Sequence, residues 1–157
     1  MFANRISQTL HEEHGATIEL MERLEAMIPR KTPIDAGNPL LRDLAAAIEA
    51  DTIRHFDFEE QHLFPMLASV GDQLIGDHLT EEHSFMRPVA QKLEGLCRAA
   101  QQNGFDDESW KQFQRAGAEF VQRMLIHVQK EEMALLPLID GTMDSATEER
   151  LYEAYAG

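Results

Sequence analysis

HFDFEEQHLFPML, residues 55–67, returns as HVQKEEMALLPLI at residues 127–139, with His, Glu, Glu, Leu and Pro in matching places. His55 pairs with His127, Glu59 with Glu131, Glu60 with Glu132, Leu63 with Leu135 and Pro65 with Pro137, at an offset of 72 residues. A shorter echo joins LHEEH at 10–14 to LTEEH at 79–83, aligning His14 with His83. The pattern is that of a duplicated helical hairpin. In an α-helix a residue and its fourth successor stand nearly above one another, about 6 Å apart along the axis. His55 with Glu59, and His127 with Glu131, therefore reach toward a common point. Facing helices that donate an imidazole and a carboxylate at this separation are a usual way to build a carboxylate-bridged metal centre in a bundle.

The chain has 157 residues, enough for one domain with one core, taken as residues 1–157. Lys and Arg total 14 against 28 Asp and Glu, a formal charge of −14. That balance repels nucleic-acid phosphates and anionic membrane surfaces, so neither is expected as a partner. No run of 18 apolar residues occurs, and MFANRISQTLHEEH turns polar too early for a signal peptide, which points to the cytoplasm. Cys97 is the single cysteine, so an internal disulfide and a thiolate-rich metal site are both excluded.

Helical periodicity runs through the chain and strand alternation is absent. The first helix is expected over about residues 5–28, with Ile6, Leu10, His14, Thr17, Met21 and Leu24 on one face. The second opens at Asn38-Pro39, an N-cap followed by proline at the first helical position, and Pro65 disturbs its end. The third runs from near Asp72 to about Gln101 with a kink expected at Pro88, and the fourth from about Asp107 to Leu136. Ser145 with Glu148 three residues on reads as the capping box of a short fifth helix. The loops are too short for parallel crossovers. The expected fold class is all-α, an up-down-up-down antiparallel four-helix bundle with a short C-terminal fifth helix.

One histidine on an apolar helix face is usually a core or rim residue. Here there are four, His14, His55, His83 and His127, one on each long helix, and two carry a glutamate four residues later. A buried, unpaired carboxylate costs several kcal/mol or is forced to change its pKa, and a cation removes that conflict. The candidate ligands are thus His14, His55, Glu59, His83, His127 and Glu131. Glu60 and Glu132 turn about 100° further and read as solvent-exposed or salt-bridged. Glu13 and Glu82, each just before a histidine, are candidates for outer groups or pocket lining, and Asp51 for orienting an imidazole. His62 lies about 10.5 Å beyond His55 along the helix and suits a pocket mouth. His78 is a candidate fifth imidazole, but it stands about 140° from His83 and its repeat counterpart is Thr9, so the near-symmetric arrangement without it is favoured. His11 lies off the ligand face. Cys97, Met21, Met86, Met124, Phe58, Phe85 and Phe120 read as inner-face core, a dry lining that suits small neutral molecules.

These residues resemble the hemerythrin-like family, the HHE cation-binding domain. The resemblance rests on EH at 13–14, HFDFEE at 55–60 followed by LFP at 63–65, EEH at 81–83, and HVQKEE at 127–132 followed by LLP at 135–137. It implies that His14, His55, His83 and His127 are terminal ligands. It further implies that Glu59 and Glu131 bridge two iron ions (manganese or zinc being alternatives), with an oxo or hydroxo group completing the bridge. Oxygen carriers of this family have five histidines, with HxxxH on the third helix and HxxxxD on the fourth. This chain has HxxxE on the fourth and no HxxxH. In its HxxxE pairs it is similar to the iron–sulfur repair proteins of nitrosative stress, and a stand-alone bacterial-type domain is the expected setting. Two functions follow as expectations. One is a non-haem di-iron protein that binds or reacts with dioxygen, nitric oxide or peroxide. The alternative is a non-catalytic, metal-dependent iron or oxygen sensor or iron-storage module, with a protein partner that the sequence does not identify.

Overall fold

A computed structural model describes residues 2–157, apart from the side chain of Asp51. Among these residues the chain folds into helices joined by short loops, with no strand. Helix α1 is Arg5–Met27. Helix α2 covers residues 39–69, α3 is Gln73–Asn103, α4 covers residues 107–142, and α5 is Ser145–Ala156. No helix among the described residues is long and apolar enough to cross a membrane.

The helix starts follow local capping chemistry. Asn4, Asn38 and Asp106 each accept a backbone N–H of the first turn, and Asp106 with Ser109 forms a reciprocal capping box. Helix α5 differs from expectation by one residue: Asp144, not Ser145, is the cap, accepting from the Thr147 N–H. Glu148 turns instead to Arg5, accepting from both its backbone N–H and its guanidinium. Helix α3 continues as α-helix through Pro88.

Neither Pro65 nor Pro137 ends its helix. Proline lacks an N–H and its ring crowds the carbonyl four residues earlier. The chain accommodates it by widening the preceding turn into a π-helix, Glu59–Leu63 before Pro65 and Glu131–Leu135 before Pro137. The Phe64 N–H then bonds to the Glu59 carbonyl and the Leu136 N–H to that of Glu131, five residues back. The two π turns are related by the repeat and begin at the two candidate bridging glutamates, in keeping with the concentration of such bulges at functional sites. A third π turn, Ala47–Thr52, has no counterpart, since residues 119–124 are ordinary α-helix.

Two apolar clusters fill the interior. One gathers Met21, Leu24, Leu44, Ile48, Met86, Leu93, Phe113, Phe120 and Met124; the other gathers Ile6, Leu10, Phe58, Leu63, Leu67, Leu79, Leu135, Ile139, Leu151 and Tyr155. Each long helix passes from one cluster to the other, and the candidate ligands lie at the crossing point between them. Gly76 permits the close approach of α3 to α2, because a Cβ there would stand 2.9 Å from Cβ of Phe64. Phe85 departs from its expected inner position: it is 55% exposed, with the Arg123 guanidinium over its ring. Cys97 is fully buried, and burial pushes its thiol up to about 12, so it is a core residue in a protonated state.

Candidate metal centre

Between the clusters lies a polar layer with no water-facing surface to speak of: His14, His55, Glu59, His83, His127 and Glu131 are all buried, Glu59 completely. The imidazoles form two pairs. His14 and His55 stack with ring centroids 5.2 Å apart, and His83 and His127 lie 4.8 Å apart with their Nε2 atoms at 3.1 Å. The carboxylates lie between the pairs. Glu59 places Oε2 at 3.2 Å from His55 Nε2 and Oε1 at 3.2 Å from His83 Nε2. Glu131 places Oε1 at 2.8 Å from His14 Nε2 and Oε2 at 3.5 Å from His127 Nε2. Each carboxylate thus offers one oxygen to each pair. Ligand atoms of Glu59, His83, His127 and Glu131 fall within 4.8 Å of one another, as do those of His14, His55 and Glu131.

Several of these atoms have no hydrogen-bond partner: both oxygens of Glu59, Oε2 of Glu131, Nε2 of His55 and Nδ1 of His14. An orphaned buried carboxylate is expensive, and a nitrogen and oxygen donor set converging on such atoms fits an intermediate or hard cation better than a thiolate-seeking one. Without a cation, protons take up part of the conflict. Burial works against the charged forms of His55 and His127, but the nearby Glu59 and Glu131 outweigh it, raising His55 well above its ordinary value and His127 to about 9. Burial also works against ionised Glu131, yet the His127 and His14 imidazoles hold its carboxyl well below the usual range.

This has a measurable consequence. A histidine with a raised folded-state pKa contributes stability that is complete below its unfolded value and fades as pH rises through the folded one. The melting temperature of metal-free protein should therefore fall between about pH 6.5 and 9, the window set by His127. Metal affinity should rise over the same interval, by about tenfold per pH unit for each proton displaced.

The outer imidazole nitrogens show an arrangement that spacing along one helix does not reveal. His55 Nδ1 faces Glu13 Oε1 at 3.5 Å, and His83 Nδ1 faces Glu60 Oε2 at 2.7 Å. His127 Nδ1 faces Glu82 Oε1 at 2.8 Å, and His14 Nδ1 faces Glu132 Oε2 at 3.4 Å. Thus α1 supplies the carboxylate for α2, α2 for α3, α3 for α4, and α4 for α1, a closed ring around the bundle. Glu13 and Glu82 serve histidines of the next helix rather than the one adjacent in sequence. Glu60 and Glu132, expected to be exposed or salt-bridged, combine both roles: Glu60 also pairs with Arg87 and Glu132 with His11, each while facing an imidazole. Burial opposes ionisation of Glu13, Glu60 and Glu82. Their donors outweigh it and hold all three carboxyls below the usual range, as acceptors for Nδ1–H.

The remaining candidates lie elsewhere. The His78 side chain is 56% exposed, 3.3 Å from Glu82 and 3.0 Å from Lys130 Nζ, and belongs to neither ligand group. His62 is exposed and lines an outer groove between α2 and α5, and the Asp51 side chain is outside the described residues. Accordingly, His78→Ala should keep the metal content of the wild type while His83→Ala loses at least one ion per chain, as metal analysis of the purified proteins would show. A cavity of about 170 Å³ adjoins His14, His55, His127 and Glu131 and extends between α1, α2 and α4 along Leu20, Met21, Ile48, Phe120 and Met124. Ala47, Ile48 and Thr52 of the unrepeated π turn form part of its wall.

A helical bundle with histidine and glutamate donors buried at its centre belongs to the class of metal-cation-binding helical domains. The family model for the hemerythrin HHE cation binding domain matches residues 5–139, and the chain belongs to that family. No curated protein matches the chain.

Proposed function

We propose that the chain is a single domain holding two metal ions, iron in the first instance, in a carboxylate-bridged centre that binds or reacts with dioxygen, nitric oxide or peroxide. The observation that carries this reading is the division of both buried carboxylates: Glu59 and Glu131 each turn one oxygen to the His14/His55 pair and the other to the His83/His127 pair. His14, His55, Glu59 and Glu131 would hold one ion, and His83, His127, Glu59 and Glu131 the other. Iron so held would supply redox chemistry and a place for a small ligand to bind. The protein's part is to fix the donors and exclude water. The ring of outer carboxylates orients the imidazoles, Phe56 stacks on His83 at 3.9 Å, and the apolar cavity admits small neutral molecules beside the His14/His55 pair.

The same reading takes the four long helices as an up-down-up-down antiparallel bundle, supported by the alternating order in which they meet the two apolar clusters. It also assigns a cytoplasmic setting, which the free, buried Cys97 suits. The test is metal analysis of protein purified without oxygen, followed by optical spectra on exposure to dioxygen, nitric oxide and peroxide in turn. Two ions per chain and a new absorption band with one of the three support the proposal. Two ions with no response to any of them would favour the sensor or storage role instead, and failure to retain metal would refute both.

A further inference from the structure

The C-terminal helix reaches the candidate centre from beyond residue 139, where the family match ends. Tyr155 on α5 is 4% exposed, its ring 4.5 Å from that of Phe58 and 6.5 Å from that of His55. Its hydroxyl donates to Glu13 Oε1, the same oxygen that faces His55 Nδ1 at 3.5 Å. The residue is held at its other end as well, since Arg54 donates to its carbonyl and lies over its ring at 4.4 Å.

Each carboxylate of the outer ring has a second contact that restrains it. For Glu60 this is Arg87, for Glu82 Lys130 and for Glu132 His11, all within the family-matched stretch. Glu13 is anchored by Tyr155, a neutral phenol from α5, and its side chain is the most exposed of the four at 31%. A glutamate side chain has several free torsions, and a half-exposed one without an anchor turns to water.

We infer that Tyr155 is a positioning residue for one end of the metal centre: its hydroxyl holds Glu13 against His55 Nδ1 and so fixes the imidazole whose Nε2 faces Glu59 and Glu131. Helix α5 is then part of the centre, not only a cover for the apolar cluster it packs on. The inference rests on the two-ion reading given above. Loss of an outer partner of this kind lowers metal affinity about 10- to 100-fold, and here the loss should fall on the His14/His55 position alone.

Tyr155→Phe separates positioning from packing, because it keeps the ring against Phe58 and removes only the hydroxyl. Tyr152→Phe is the control on the same helix, where the Arg5 guanidinium lies over the ring at 4.3 Å. Both variants and the wild type are titrated with cobalt(II), and the imidazole N–H resonances of the cobalt-loaded proteins are recorded by NMR. Wild type and Tyr152→Phe should take up two ions identically. Tyr155→Phe should take up two, with one affinity reduced at least about tenfold and one shifted N–H resonance lost to solvent exchange. Glu13→Gln should lose the same step, and the double variant no more than either alone. Unchanged affinities in Tyr155→Phe, or equal weakening of both steps, would overturn the inference by showing that the ring only packs. A wild type that takes up fewer than two ions would overturn the two-ion reading itself, and the inference with it.

Discussion

Glu59→Ala is expected to leave the protein with almost no bound metal, and Glu131→Ala likewise, because each substitution removes an oxygen from both candidate positions at once. The neighbouring substitutions should behave differently. Glu60 and Glu132 touch the outer nitrogens of His83 and His14 and stand outside both ligand groups. Their alanine variants should still fill two positions at saturating metal, with affinity at one of them lowered about 10- to 100-fold. Metal content after desalting, together with a competition titration against a chelator, distinguishes the outcomes. Equal losses across all four variants would contradict the division into inner and outer carboxylates.

Chelation is expected to lower the melting temperature substantially. The metal-free interior retains buried atoms without partners, among them both oxygens of Glu59. A ligand that binds only the folded state at about a thousand times its dissociation constant contributes about 4 kcal/mol. For a chain of this size each kcal/mol shifts the midpoint by roughly 2–4 °C, so chelation should cost about 8–16 °C. Thermal melts of loaded and chelated protein at one pH provide the measurement, and restoration of the midpoint by added ferrous iron under argon provides the control. Identical midpoints would argue against a buried centre.

The convergence of the candidate inner donors was legible because their geometry is local. His55 with Glu59, and His127 with Glu131, are four residues apart on continuous helix, where the backbone alone sets the direction of both side chains. The cap at Asn38 was within reach of the same reasoning, since a cap and the N–H it serves lie within three residues. The π turns left a signal that can be recognised afterwards: a proline six residues beyond each bridging candidate, at Pro65 and Pro137, inside a helix whose apolar pattern continues past it. Phe85 shows the limit of face assignment, since α3 packs more than one neighbour and its periodicity does not mark where the packed arc ends.

The sequence by itself determined the helical class and the six candidate donors with their duplication, because helix periodicity and spacing of four are fixed by backbone geometry within a few residues. Tertiary structure alone decided which carboxylate serves which imidazole, as each pairing joins neighbouring helices: Glu13 to His55, Glu60 to His83, Glu82 to His127 and Glu132 to His14. It also decided that Tyr155, 142 residues from Glu13, would reach it. Contacts of this range depend on how helices rotate and slide to bury their apolar faces, a choice made by the packing of the whole bundle and not encoded in the spacing along any one helix.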